Sequence, residues 1–411
     1  MPELLPFRAV RPAADKAGMV TSQSYESYDR EALLAELKHN AYSFLHIINP
    51  GYNRAEPFTP LQRFQKVGEK YHAFIEKGIL ERDPRPCYYL YELRTEENRF
   101  LGLFGATSTA DYRAGLIRKH EETIARREAI FANYLEVVKF NAEPVLLMYR
   151  DNEAIRARLL RECNKNPLYD FRCTEGNRYR FWAIDAAETI SWLRSEFMKM
   201  DAFYIADGHH RCASSNLLSE RAKAANPEHS GREAHNYFMS CLLPESEVKI
   251  GSYTRLIKDL NGLSEKVFLQ KISECFNIRK LGEEPPQNLR KNQFLMYLPG
   301  SFYFIALKQD CGKKANALDK LDAHILYSNL LNPVLNIEDL RNDKRIRYGY
   351  GKKKISLMKR KIDAGEYLVG FAMKPVSSAE LREIADAGLV MPPKSTYIEP
   401  KMRSGLAIYE L

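Results

Sequence analysis

The apolar residues of this chain fall into two rhythms. Short apolar runs at 144–149, 179–184, 203–206 and 236–243 predict buried strands, and residues 87–94 and 100–106 predict a hairpin around the polar turn Thr95-Glu96-Glu97-Asn98. Spacings of three and four predict amphipathic helices over 30–40, 60–78, 188–200 and 210–225, and a long charged helix over 117–140. Residues 42–48 alternate enough to predict another strand, and the Pro-spaced segment through Thr21 is expected to be extended.

Residues 244–251 read as a connector. Beyond it the pattern predicts a helix at 264–276, a hairpin at 294–298 and 302–307 around Pro299-Gly300, and a helix at 317–330. A strand, a helix and a strand follow at 365–373, 379–387 and 406–409. Helices and antiparallel strands are interspersed, so the expected fold class is α+β with mixed sheets. Two domains are expected, an α/β core over 1–250 and a smaller α+β part over 251–411.

Composition changes this picture little. With 45% hydrophobic and 28% charged residues over 411 positions, the chain can bury a large core and is not disordered. No apolar run reaches the length of a membrane span, and the first twenty residues lack the apolar core of a signal peptide. No membrane partner and a cytoplasmic location are therefore expected. The seven cysteines are scattered, with no C-x-x-C pair and no Cys/His spacing of a zinc site, which argues against a disulfide framework.

Charge adds more. A net charge of +9 points to acidic partners such as nucleotides or phosphorylated metabolites. Part of the excess is local: residues 341–361 carry ten Lys/Arg against the single Asp343. That stretch reads either as a solvated surface or as a phosphate or nucleic-acid surface. Its aromatic interleaving is thin, only Tyr348 and Tyr350, which does not suit a single-strand stacking platform.

The strongest chemical signal follows the apolar run 203–206, where Asp207-Gly208-His209-His210-Arg211 leads into a helix. A helix N-terminus offers backbone N–H groups and a positive dipole end to an anion. Gly208 lets backbone approach a ligand, and Arg211 has the fork geometry that grips phosphate. Asp207 would repel phosphate, so it fits better as a general base or as a ligand of phosphate-bound Mg²⁺. The plainer alternative is a polar helix cap with packed histidines. Cys212 beside it reads as a free, partly buried thiol rather than a nucleophile.

Two further constellations carry candidate chemistry. On the helix expected over 117–140, His120, Thr123 and Arg127 share a face, as do Glu121 and Glu128. This places His120, Glu121 and Thr123 near a phosphate or metal, with an ion-paired surface helix as the alternative. It is not a zinc-protease motif, because Ile124 stands where a second His is needed. The other is 391–405, where Lys394, Ser395, Thr396, Lys401, Arg403 and Ser404 supply phosphate donors on a loop stiffened by Pro392, Pro393 and Pro400. A strap packed through Tyr397 and Ile398 is the alternative there. Common nucleotide signatures are absent: no P-loop, no G-x-G-x-x-G after a strand, no G-x-S-x-G elbow and no kinase catalytic loop.

Three blocks together resemble domain-of-unknown-function family 1015: Pro6-Phe-Arg-Ala-Val-Arg-Pro12, Ala206-Asp-Gly-His-His-Arg211, and Met391-Pro-Pro-Lys-Ser-Thr396 with Pro400-Lys401 and Ser404-Gly405. Ser43-Phe-Leu-His46 and Lys119-His-Glu-Glu-Thr123 also look like family blocks, so the resemblance runs nearly end to end. The chain departs from the pattern at Tyr25-Glu-Ser-Tyr-Asp29, where a Pro-Tyr-Asp segment is expected. The Asp-Gly-His-His-Arg block is also similar to the phosphate-binding box of the ParB/sulfiredoxin superfamily, and in particular to its free-serine kinase branch.

These resemblances imply a ParB/sulfiredoxin-like phosphate-binding core and a nucleotide-linked phosphotransferase acting on a small hydroxyl metabolite. Serine or phosphoserine is the metabolite they imply, with a phosphoserine phosphatase as a close variant. Gly208, His210 and Arg211 would cradle phosphates, and Asp207 or Glu121 would orient and deprotonate the hydroxyl, with His120 in the catalytic set. His209 would stabilise the transferring group, while Lys394, Ser395, Thr396 and Lys401 would cover the polyphosphate. The implied cofactor is ATP or ADP with Mg²⁺, held by Asp207 and Glu121. Expected partners are the nucleotide and the metabolite, with a homodimer as a further candidate and nucleic acid not expected. Two alternatives stand beside this reading. One is a ParB-like nucleotide-gated DNA-binding protein, which lacks the helix-turn-helix such proteins need. The other is a non-catalytic small-anion binding module.

Overall fold

The computed structural model describes the whole chain except residues 25–26, 53–57, 283, 286–287 and 312–314. Two of the residues at the family departure, Tyr25 and Glu26, therefore lie outside the described residues. The chain forms two compact units, Met1–Arg118 with Thr123–Val248 and Pro400–Leu411, and Lys119–Glu122 with Lys249–Glu399. Both mix helices with sheets, as the α+β expectation holds.

The first unit is built on a nine-stranded sheet. Its order is Ile117–Arg118, Phe203–Asp207, Val145–Tyr149, Tyr237–Pro244, Arg99–Ser108, Tyr88–Arg94, Arg178–Ile184, Tyr169–Arg172, with Leu4–Leu5 pairing Arg99–Ser108. The central strands are apolar at successive positions because both faces are covered: all of Val145–Tyr149 and Phe203 to Ala206 are buried. Leu90, Leu103, Leu147, Trp182, Phe197, Phe203, Ile205 and Leu242 form the core on one side. Tyr237–Pro244 runs parallel to Val145–Tyr149, whereas Phe203–Asp207 runs antiparallel to it. A four-stranded sheet of Leu80–Arg82, Ala9–Pro12, Ile408–Glu410 and Phe140–Asn141 joins both chain ends to this unit.

The helix His209–Ala225 buries Cys212, Ala213, Ser214, Ser215, Leu218 and Ser219 and packs against the helix Ala125–Val138. Small residues on the buried face allow this close approach. The buried hydroxyl of Ser219 is satisfied, donating to Asn236 Oδ1 at 2.7 Å and accepting from Thr109 Oγ1 at 3.0 Å.

The second unit centres on a six-stranded antiparallel sheet, ordered Phe276–Gly282, Ser301–Leu307, Gln293–Leu298, Val369–Met373, Thr254–Ile257, Ile346–Gly349. Alternation along its strands feeds two cores. Ile257, Phe294, Met296 and Phe371 face one, and Leu256, Leu295 and Tyr297 face the other with Met358 and Ile362. Lys249–Gly251 pairs separately with Tyr397–Glu399.

Three local expectations are corrected. Residues 117–140 are not one helix: Ile117–Arg118 is a strand paired with Phe203–Tyr204, residues 119–124 are irregular, and the helix begins at Ala125. Sheet pairing captures Ile117, so the helical periodicity has no continuous backbone to act on. Residues 42–48 contain a helical turn, Leu45–Ile48, rather than a strand; Leu45 and Ile47 are buried from it, and Phe44 N–H donates to the Val20 carbonyl at 2.8 Å. The N-terminal segment is not extended throughout, because Ala14–Lys16 and Ala17–Val20 are helical turns.

Candidate active site

Phe203–Asp207 ends in a bulge. Its pairing with Val145–Tyr149 shifts register between Ile205 and Asp207, which re-aims the last residue of the strand. Gly208 follows at φ 99° and ψ 28°, a left-handed conformation that disfavours residues bearing a Cβ, and the 17-residue helix starts at His209. A Cβ at position 208 would stand 3.0 Å from Arg211 Nε and 3.2 Å from its Cζ. Glycine therefore serves twice: it permits the turn and lets the guanidinium fold back over it.

Arg211 braces this turn. Its Nη1 donates to the Pro144 carbonyl at 2.6 Å and its Nη2 to Asp207 Oδ2 at 3.0 Å, and Glu143 Oε2 lies 3.5 Å from Nη1. The second Asp207 oxygen, Oδ1, accepts from Lys401 Nζ at 3.1 Å. Burial pushes the Asp207 carboxyl up, but Arg211, Lys401 and His209 outweigh it and hold the group below the usual aspartate range. Two carboxylates, Asp207 and Glu143, thus stand against two cations, Arg211 and Lys401.

The C-terminal residues complete the surroundings. Ser404 Oγ donates to Glu143 Oε1, and Ser404 and Ser22 exchange backbone hydrogen bonds of 2.9 and 3.2 Å. Arg403 donates through Nε to Thr21 Oγ1 at 3.0 Å. The hydroxyls of Ser22 and Ser43 are buried with no hydrogen-bond partner among the described residues. His209 is buried at the first helical position and His210 is half-buried beside it. Cys212 is fully buried, and burial pushes its thiol well above the usual value, so it is not a reactive nucleophile.

Asp207, Gly208, His209, His210, Arg211 and Lys401 therefore belong to one unit, and Lys401 reaches Asp207 directly. His120, Glu121, Lys394, Ser395 and Thr396 belong to the other. There Thr396 Oγ1 lies 3.5 Å from both His120 Nε2 and Glu121 Oε1, and the His120 carbonyl accepts from Met391 N–H at 2.9 Å. Ser395 Oγ donates to the Pro392 carbonyl at 2.6 Å, closing the loop on itself. Lys394 adopts φ 57°, an uncommon conformation for a residue with a side chain, and its ammonium lies 5.4 Å from the centre of the Tyr253 ring. The shared helical face expected for His120, Thr123 and Arg127 does not form, because residues 119–124 are not helical. Thr123 instead donates to Glu128.

Sequence reasoning missed two residues. Glu143 gave no signal beyond preceding Pro144, yet it meets both Arg211 and Ser404. Arg255 is fully buried on Thr254–Ile257. Its Nη1 lies 3.4 Å from the Tyr253 carbonyl and 3.6 Å from Met373 Sδ, its Cζ sits 5.7 Å from the Tyr348 ring centre, and Nε and Nη2 have no hydrogen-bond partner among the described residues. Burial lowers its pKa.

The basic stretch 341–361 is folded into Ile346–Gly349 and much of Lys354–Asp363. Arg345 pairs with Asp343 and Asp259, Lys359 with Asp363 and Lys361 with Glu366, and Lys354 donates to Ser252 Oγ at 2.8 Å. Several of its charges are thus answered within the second unit, as a structural surface requires.

The family model described as "Protein of unknown function (DUF1015)" matches residues 4–324. No curated protein matches the sequence. Similar solved structures include a conserved hypothetical protein from Pyrococcus furiosus, at 14% identity and TM-score 0.34, covering 74% of this chain and 95% of that one. A free serine kinase in complex with AMP has 15% identity and TM-score 0.38, with 74% and 91% coverage. SbnI with a C-terminal truncation, from Staphylococcus aureus, has 10% identity and TM-score 0.39, with 74% and 85% coverage. Likeness at these scores is coarse and carries no residue correspondence. No helix among the described residues is long and apolar enough to cross a membrane.

Proposed function

The chain belongs to the DUF1015 family, and from the geometry of its strand-to-helix turn we propose that it is a nucleotide-linked phosphotransferase acting on a small hydroxyl metabolite. One observation carries this reading. Asp207 is held between Arg211 and Lys401 at the lip of a glycine turn that opens a 17-residue helix. The helix end favours phosphate through its dipole and N–H groups. A plain anion-binding cap gains nothing from a carboxylate there, whereas phosphoryl transfer needs one to orient the attacking hydroxyl.

In the proposed reaction the metabolite's hydroxyl oxygen forms a bond to the terminal phosphorus of the nucleotide as the bond to the bridging oxygen breaks. The nucleotide leaves one phosphate shorter, taking the electron pair of the broken bond on its bridging oxygen, and the hydroxyl proton passes late to Asp207 and from it to solvent. Asp207, kept ionised by its two cations, accepts a hydrogen bond from that hydroxyl and aims it. Its depressed basicity suits orientation more than early proton removal, which a loose transition state does not require. Gly208, His209 and His210 present the start of the helix to the phosphates. Arg211 keeps the turn in shape, and a guanidinium has five N–H donors, more than Pro144 and Asp207 use. Lys401, partly exposed at 41%, can exchange Asp207 for a phosphate oxygen.

Two carboxylates gathered around one guanidinium suit Mg²⁺, which binds through one or two carboxylates together with substrate phosphates. Asp207 and Glu143 would hold it, and when bound it would neutralise polyphosphate charge beyond what Arg211 and Lys401, partly balanced by those carboxylates, supply. ATP or ADP is the proposed donor. Serine or phosphoserine is the proposed partner, supported by the resemblance of the Asp207-Gly-His-His-Arg211 block to the phosphate-binding box of the free-serine kinase branch.

The test is a thermal-shift screen with ATP, ADP, AMP, pyrophosphate, serine and phosphoserine, with and without Mg²⁺, followed by a phosphorus NMR assay of the pairs that bind. A ligand at 100 times its Kd stabilises by about 2.7 kcal/mol, a shift easily read. Nucleotide binding with transfer to or from the metabolite is expected. Nucleotide binding without transfer to any hydroxyl metabolite would replace the enzyme with an anion-binding module.

A further inference from the structure

The helix His209–Ala225 starts at the candidate active site and ends, about 25 Å further on at 1.5 Å per residue, in a short connection to the strand Tyr237–Pro244. That connection holds chemistry that the phosphotransferase reading does not use. Among the described residues, His229, Glu233 and His235 form a group whose ligand atoms all lie within 4.8 Å of one another. His229 Nδ1 is 3.4 Å from Glu233 Oε2. The two imidazole rings face each other with centres 6.0 Å apart and planes at 26°. Both His229 Nδ1 and His235 Nε2 are buried without a hydrogen-bond partner among the described residues.

We propose that His229, Glu233 and His235 bind a divalent transition metal, best matched by Zn²⁺, with water as the fourth ligand.

Three physical points support this. First, tetrahedral Zn²⁺ with bonds of about 2.0–2.2 Å to nitrogen and oxygen sets its ligand atoms about 3.4 Å apart; the His229–Glu233 pair stands at 3.4 Å and the third ligand atom lies within 4.8 Å of both, so a small side-chain movement closes the set. Second, His229 Nδ1 and His235 Nε2 are buried and make no hydrogen bond among the described residues, with Glu233 Oε2 standing 3.4 Å from the first, and a cation at these atoms meets that cost. A buried imidazole nitrogen normally finds a partner. Third, the carboxylate is held in place by other groups, as ligating carboxylates are. Ser230 donates to Glu233 Oε1 through its backbone N–H at 2.7 Å and its hydroxyl at 2.9 Å, and Asn236 Nδ2 donates to Oε2 at 2.8 Å. The backbone shares in this, since Gly231 turns at φ 81° and Tyr409 Oη donates to the Ala234 carbonyl at 2.9 Å.

Imidazole and carboxylate together suit zinc better than Mg²⁺ or Ca²⁺, which take oxygen ligands. All three ligands come from seven consecutive residues, so the metal would close a local loop and pin the end of the site helix to the strand that follows. The site is separate from Asp207 along the length of that helix, and its failure would leave the phosphotransferase reading untouched.

The test uses the full chain, free of any purification tag and purified without chelator. Mass-spectrometric metal analysis should find close to one zinc per chain in the wild type and near none in the His229→Ala, His235→Ala double variant. Cobalt substitution should give the intense visible absorption of a tetrahedral centre in the wild type. This reads the geometry without depending on any variant's folding. Circular dichroism of the double variant separates loss of metal from loss of fold. A wild type that takes up neither zinc nor cobalt at neutral pH overturns the proposal and leaves His229 and Glu233 as an ion pair. A double variant that retains full metal places the ion elsewhere and overturns it equally.

Discussion

Lys401 Nζ lies 3.1 Å from Asp207 Oδ1, although the two residues are 194 positions apart. The ammonium does two things there: it keeps the carboxylate ionised and it supplies a positive charge beside the helix start. Lys401→Ala should weaken nucleotide binding by roughly 10–100-fold, the loss of one charge-assisted contact of about 1.5–3 kcal/mol. Arg211→Ala should weaken it too, but should also lower the melting temperature, because it removes the brace to Pro144. Calorimetric titration and thermal unfolding of the two variants separate the roles. Equal affinity in Lys401→Ala and wild type would remove Lys401 from the site.

Asp207→Asn keeps the shape of the side chain and loses its charge. Turnover should fall by roughly 10²-fold or more while nucleotide affinity changes little, because the hydroxyl loses the acceptor that aims it. Steady-state kinetics with the metabolite varied would show the loss in kcat rather than KM. Full activity in Asp207→Asn would make Asp207 a helix-cap residue and move the search for the base to Glu121.

The same carboxylate makes stability depend on pH with a definite sign. Burial alone would raise its pKa, but Arg211 and Lys401 set it below the ordinary value of 3.8. A carboxyl more acidic in the folded state stabilises the fold above its unfolded pKa, and this contribution is lost as pH falls through the folded one. Wild-type stability should therefore fall on acidification below about pH 4, and Asp207→Asn should flatten that arm of the curve. Urea unfolding at a series of acidic pH values measures it. A superimposable acid limb in the two proteins would show that the ion pairs contribute nothing.

Local features of this site were legible in the sequence and distant ones were not. The run Phe203 to Ala206, the break at Gly208 and the helix after it follow from apolar clustering, glycine's freedom and helical spacing, all within a few residues. The hairpin of Gln293–Leu298 and Ser301–Leu307 was legible for the same reason. Glu143 and Arg255 were not, because what makes them notable is the company they keep across the fold. The helix expected over 117–140 shows the complementary failure. Its charges have helical spacing, but Ile117 pairs with Phe203, and a partner 86 positions away outranks local propensity. Residues 42–48 erred similarly, since the apolar pair Leu45 and Ile47 is buried from one helical turn as readily as from a strand.

Gly208→Ala should disable the turn by two routes. Alanine at φ 99° costs about 1–2 kcal/mol in a left-handed conformation, and its Cβ would press on Arg211 Nε at 3.0 Å. Arg211 must then move, loosening its bonds to Pro144 and Asp207. A melting temperature lower by a few degrees and nucleotide affinity lower than that of Lys401→Ala are expected. Wild-type affinity in a folded Gly208→Ala protein would show that the turn is not the binding element.

The last prediction concerns Arg255. A fully buried guanidinium is normally paired with a carboxylate, because an unpaired charge in the interior costs several kcal/mol. Arg255 has no such partner among the described residues. Its compensation comes from the Tyr348 ring, one backbone carbonyl at 3.4 Å and a thioether, none of which carries a negative charge. Replacing it with an apolar chain of similar length removes the desolvation cost without stranding an opposite charge. Arg255→Met should therefore leave the second unit as stable as the wild type or more stable, by up to about 4 kcal/mol, as when buried ionic groups elsewhere yield to apolar ones. Arg255→Lys should destabilise, since it keeps the charge and gives up the planar contact with Tyr348. Denaturant unfolding of the three proteins in chloride buffer decides the matter. Loss of several kcal/mol in Arg255→Met would mean that the arginine is paired after all, and that its partner is a bound anion carried through purification.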